Sequence, residues 1–220
     1  MKINYKAFLS NYQYWKIGQV AKNKKRTPKT IGFSSAKTAG IVFRANHPGI
    51  FEKVKNFVLY LQDKNIEIHV LGYVESNDLI DYYLVRKGFE FLTLNDINWL
   101  GFPKHGSVNE FLQRNYDLFF DLNTIQVPPL LWITVNSNAS FRIGKFFPGN
   151  NYVDFSIDFT KEQQTLKEVQ DEVNIHSKKK PGERAREKLS STPNHQEVNH
   201  EIETDFLIEQ VKHYVPRLKS

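Results

Sequence analysis

Two stretches restrict the fold more than any others. Tyr116-Asp117-Leu118-Phe119-Phe120-Asp121-Leu122-Asn123 is a near-continuous apolar run ending in a carboxylate and an amide. Ala139-Ser140-Phe141-Arg142-Ile143-Gly144-Lys145 is a second run, closing on a glycine and a cation. A strand that is apolar on both faces needs cover on both faces, and parallel sheets in α/β proteins provide it. Polar groups at its carboxyl end are what such a sheet offers at its binding crevice. The pair therefore predicts an α/β fold, and neither stretch carries a catalytic signature.

The rest of residues 30–160 alternates in the same sense. Residues 37–44 read as the first central strand, 66–74 as a second and 89–92 as a third. Between the first two, Ile50, Phe51, Val54, Phe57, Val58 and Leu61 recur at helical spacing. Shorter helices are expected over 78–86 and 108–114, and an apolar one follows Pro128-Pro129. Trp99-Leu100-Gly101-Phe102-Pro103 reads as a structured loop. Strand–helix alternation of this kind predicts a Rossmann-like, mostly parallel open sheet with flanking helices. Residues 150–159 alternate cleanly, as an edge strand running antiparallel would.

Outside that domain the character changes. Residues 1–29 form a leader in which Ile3, Ala7, Phe8, Tyr12 and Trp15 suggest an amphipathic helix, followed by the basic run Lys22, Lys24, Lys25, Arg26 and Lys29. Residues 161–200 are charged and hold too few apolar groups to offset ordering, so most of this stretch reads as a disordered linker. Its second basic cluster, 178–188, and its histidines His176, His195 and His200 are expected to be solvated. In 201–220, Ile202, Phe206, Leu207, Val211 and Val215 return to helical spacing, predicting a C-terminal amphipathic helix that docks on the domain or on a partner.

Composition excludes several chemistries. The chain has no cysteine, hence no disulfide frame, thiolate zinc site or cysteine nucleophile. No apolar run reaches the ~20 residues of a membrane span, and a cytoplasmic location is expected. Gly32, Gly40 and Gly49 stand alone, without the spacing of a phosphate loop. No cofactor or metal is expected. The net charge of +6 favours an anionic partner, RNA or a membrane surface, and the basic leader beside Tyr12, Tyr14 and Trp15 is where it would bind.

The candidate crevice gathers polar residues from the strand ends: Arg44, Asn46 and His47 after the first, Asp121 and Asn123 after the fourth, and Arg142 and Lys145 around the fifth. Glu75 and Ser76 follow the second strand. Such a set suits a polar or anionic small molecule. Solvent-exposed strand ends also tolerate polar residues, so the pattern alone does not decide.

Over residues 30–160 the chain resembles an uncharacterised bacterial domain family, through Gly40-Ile41-Val42-Phe43, Leu71-Gly72-Tyr73-Val74, Trp99-Leu100-Gly101-Phe102-Pro103 and the two stretches above. That resemblance implies no activity. More distantly, residues 116–122 and Arg142-Ile143-Gly144 resemble the amino-terminal Rossmann-like half of heptosyltransferase-type glycosyltransferases. There a Gly-Asp pair opens the first helix and the aspartate is the base. Here Gly49 matches, but Ile50 stands at the aspartate position. The resemblance implies the fold and argues against the activity. The expected function is a non-catalytic binding or scaffold module. Two alternatives stay open: a transferase-like enzyme using Asp121 or His47, and an RNA- or ribosome-associated basic factor.

Overall fold

Strand β1 (Thr38–Arg44) is buried along its centre and pairs in parallel with both β2 (Glu67–Tyr73) and β4 (Asn115–Asp121). The computed structural model describes residues 5–77, 88–149, 152–159 and 195–218. β3 (Phe89–Leu92) adds outside β2, while β5 (Asn138–Lys145) and β6 (Phe155–Ile157) add outside β4. The order is β3-β2-β1-β4-β5-β6, and every pair is parallel. The chain thus builds outward from β1 on one side, then returns to build outward on the other. This makes β1/β4 the topological switch point, where open α/β sheets bind ligands.

The alternation in 150–159 suggested an edge strand running antiparallel; β6 is an edge, but the structure corrects its direction. β6 pairs only with the last residues of β5, Ile143 to Lys145. The connecting chain therefore backtracks by a few residues rather than a full strand length. Hence a parallel neighbour needs no long crossover here.

One face of the sheet is covered by α2 (Pro48–Gln62) and α5 (His195–Tyr214), which pack on each other, α2 also on β2 and α5 on β5. Their core includes Phe51, Phe57, Leu118, Phe120, Ile143, Leu207 and Val211. The other face carries α3 (His105–Gln113) and α4 (Pro128–Asn136), with α1 (Tyr5–Asn23) laid over α4. This layering explains why α4 is apolar all round. Leu130 and Ile133 face the sheet, whereas Leu131 and Val135 meet Ile17 of α1 and Phe102. A helix with apolar contacts on opposite sides needs no polar face.

Gly40 of β1 leaves room for the Phe119 and Tyr116 rings of the neighbouring β4. A Cβ there would stand 2.8 Å from the Phe119 ring and 3.2 Å from Tyr116. The loop after β3 is held by Asn98, whose Oδ1 accepts from the amides of Leu100 (2.9 Å) and Phe102 (3.1 Å).

Both terminal helices form; α1 turns another face inward than the spacing suggested, while α5 buries most of the expected stripe. In α1, Phe8 and Trp15 are exposed, while Ile17 is fully buried and Gln13 nearly so. Gln13 donates to the Leu100 carbonyl at 2.8 Å, so the loop selects this face. In α5, Ile202 is exposed and Thr204, Leu207, Ile208 and Val211 are buried, as is Val215 in the 3-10 turn that follows (Val215–Arg217). This helix starts at His195, within the stretch read as linker. The helix expected over 78–86, the linker stretch 160–194, the basic cluster 178–188 and His176 lie outside the described residues.

Candidate functional site

At the switch point the chain leaves β1 through Ala45-Asn46-His47 into α2, and leaves β4 through Leu122-Asn123-Thr124 towards α4. Backbone bonds hold both exits: Ala45 donates to Tyr73 O (2.8 Å) and Leu122 to Val42 O (3.0 Å). A pocket opens between them. Arg44 and Ile50 line it on the β1/α2 side, Asn123 and Thr124 on the β4 side, and His200 and Thr204 of α5 close it. The enclosed space is about 10 Å³, room for roughly one water molecule.

Arg44 and Asn46 share one partner. Arg44 Nη2 (2.8 Å) and Asn46 Nδ2 (3.0 Å) donate to Glu75 Oε2, and the Glu75 amide donates back to Asn46 Oδ1 (2.9 Å). This clamp fixes the ends of β1 and β2. Arg44 Nε, however, is buried without a partner.

Asp121 and Asn123 form a second fixed unit. Asp121 Oδ1 accepts from the Asn123 backbone (3.2 Å) and from Asn123 Nδ2 (2.6 Å), and Oδ2 accepts from Thr134 Oγ1 (2.9 Å). Burial pushes the Asp121 carboxyl up from its ordinary value, and these hydrogen bonds oppose that rise. A carboxylate partner orients the Asn123 amide with its nitrogen inward. Its Oδ1 is then buried without a partner.

His47 caps α2. It is extended, and its Nδ1 accepts the Gly49 amide at 3.2 Å. The same Nδ1 lies 3.2 Å from Glu201 Oε2 of α5. One ring nitrogen cannot accept from Gly49 and donate to Glu201 together, so the two contacts exclude each other. Lys145 reaches the crevice rim, donating to Thr124 O (2.8 Å) and Glu203 Oε2 (3.3 Å). Burial lowers its pKa, and Glu203 opposes this.

The structure therefore brings Arg44, Asn46, His47, Asn123 and Lys145 to one edge, with Asp121 beneath Asn123. Arg142 is not among them. Its guanidinium serves the end of α4, bonding Val135 O (3.0 Å), Ser137 O (2.9 Å) and Ser137 Oγ (3.2 Å). Burial and the neighbouring Arg26 cation lower its pKa to about 10, against the opposing Asp154. The strand pattern put Arg142 on β5 correctly, but gave no measure of how far along the sheet its head would reach.

The basic leader is also partly consumed. Lys24 Nζ donates to Asn136 O (2.6 Å) and Ser137 O (2.9 Å). Its pKa falls to about 8, mainly through burial and then through Arg142 and Arg26. Arg26 pairs with both oxygens of Asp154 at 2.9 Å. Lys22, Lys25 and Lys29 stay exposed.

Thr124, Glu201 and Thr204 are site residues that sequence reading passed over, and His200, expected to be solvated, instead lines the pocket and meets Thr124 Oγ1 at 3.1 Å. The signal for His200 and Thr204 was their spacing with Ile208, Val211 and Val215, a helical stripe that begins inside the supposed linker. Among the described residues, no cluster of three or more His, Asp or Glu side chains could hold a metal. Among the same residues no helix is long and apolar enough to cross a membrane.

The model of a family of unknown function, DUF6913, matches residues 10–173. No curated protein matches the chain.

Proposed function

The chain belongs to the family of unknown function DUF6913, and we propose that it is a binding module taking a small polar molecule at the β1/β4 switch point. One observation carries this reading. Arg44 Nε, a donor, and Asn123 Oδ1, an acceptor, are buried without partners, and both residues line the same pocket. Each such orphan costs about 1–3 kcal/mol. A ligand carrying both an acceptor and a hydroxyl would satisfy the two together, once His200 and Thr204 move aside to widen a space of about 10 Å³.

Several features favour binding over chemistry. Asp121 spends its oxygens on Asn123 and Thr134 and does not line this pocket. His47 is engaged as a helix cap. Ile50 lines the pocket where a transferase of the resembled type would present its base. The RNA-associated reading loses two of its five leader cations to the α4–β5 edge.

Thermal-shift measurements on the full chain against sugar phosphates, nucleotides and hydroxy acids test the proposal. A ligand at 100 times its Kd adds about 2.7 kcal/mol, which raises Tm by roughly 5–10 °C for a chain of this size. Such a shift should disappear in Asn123→Leu. If no compound shifts the wild type, or if the shift survives in Asn123→Leu, the proposal fails.

A further inference from the structure

Resting on that reading of the crevice, we infer that the amino end of α2 is its anion subsite, and that Glu201 of α5 occupies it in cis. The ligand would then be a small molecule ending in a phosphate or carboxylate, and its entry would displace the start of α5.

The first observation is the seat of Glu201. Its carboxylate lies so close over Gly49 that a Cβ at position 49 would overlap it. It also faces His47 Nδ1 at 3.2 Å. The first turn of α2 has no acidic residue of its own. A helix amino end attracts negative charge, and here the charge comes from another element.

The second observation is independent and points to a ligand. Asn123 is 6% exposed and its Oδ1 has no partner, in a pocket that also takes Ile50 from the first turn of α2. The groups shutting this pocket, His200 and Thr204, flank Glu201 on the same helix. One element therefore supplies both the substitute anion and the lid.

The third observation is how α5 is attached. Its amino-terminal half is held by polar contacts, Thr124 Oγ1 to His200 Nδ1 (3.1 Å), His47 to Glu201 (3.2 Å) and Lys145 to Glu203 (3.3 Å), with Lys53–Asp205 (3.2 Å) at mid-helix. Its carboxyl-terminal half is anchored by the buried Leu207, Ile208, Val211 and Val215. The exposed Lys53–Asp205 pair is weak; Lys145–Glu203 is more sheltered, its side chains 10% and 14% exposed, but it is one pair against several buried apolar side chains. The first turns can lift while the rest stays seated. They also lie beyond residue 173, where the family match ends.

Full-length wild type, Glu201→Ala, Gly49→Ala and the double variant are titrated with pyrophosphate and, separately, malonate, by calorimetry. Removing the internal competitor should tighten one of these probes by about tenfold or more. Gly49→Ala should cancel that gain in the double variant, since its methyl group fills the space the oxyanion needs. Binding should also speed hydrogen exchange at amides 199–206. The inference falls if Glu201→Ala binds neither probe more tightly than wild type, if the gain survives Gly49→Ala, or if exchange at 199–206 does not change. Should neither probe bind more tightly while an uncharged compound still gives an Asn123-dependent thermal shift, the anion subsite is refuted and the crevice itself stands.

Discussion

Beneath Asn123, outside the pocket lining, Asp121 accepts two bonds from Asn123 and one from Thr134, yet burial outweighs them and raises its pKa above the ordinary 3.8. The sign of the consequence is fixed by linkage. Between the unfolded value of 3.8 and the higher folded value, the native state binds more protons than the unfolded chain. Stability therefore falls as pH rises through that window and levels off above it. In Asp121→Asn this contribution is absent. Urea midpoints of both proteins from about pH 3.5 to about pH 7 should show the variant gaining on wild type as pH rises. A constant difference, or one of opposite slope, would refute the assignment. The sequence placed Asp121 at a strand end but not under cover. The cover is Thr134, which reaches it from α4 and whose partner no periodicity reveals.

Among the elements, α4 shows how distant segments complete one another. Its last carbonyls are met by Arg142 from β5 and Lys24 from the chain after α1. Cations belong at a helix carboxyl end, where they neutralise the dipole and bond the orphan carbonyls. Hydrogen bonds to a charged group contribute about 1.5–3 kcal/mol each. Arg142→Met should then cost about 3 kcal/mol, a Tm loss of roughly 6–12 °C. Arg142→Lys should recover little, because an ammonium lacks the planar fork that reaches Val135 O and both Ser137 oxygens. A variant that melts within a degree or so of wild type would show that water replaces the guanidinium. The helices and strands here were legible because 2.0- and 3.6-residue periods are local. The roles of Lys24, Arg26 and Arg142 were not, since a cation in a sequence looks the same whether it faces solvent or a carbonyl.

For the whole molecule the decisive element is α5. The sequence left two fates open, a partner-docking helix or a helix on the parent domain, and the structure places it in the main core beside α2. The class of fold and its sheet were readable from the apolar strands alone. The lid over the switch point was not, because α5 returns across a stretch whose composition carries no signal of where it leads. Burying Leu207, Ile208, Val211 and Val215 contributes about 1.5–3 kcal/mol each, together comparable with the 5–15 kcal/mol by which a whole domain is stable. Leu207→Ala should lower stability by about 2–5 kcal/mol in denaturant unfolding. Lys53→Met, which removes the partner of Asp205 at mid-helix, should change it by less than about 1 kcal/mol. That asymmetry is what a hinged lid requires, with firm anchorage at one end and weak charge pairing ahead of it. If instead Lys53→Met and Leu207→Ala destabilise equally, α5 is a uniformly fastened core helix, and the crevice beneath it opens only when the domain unfolds.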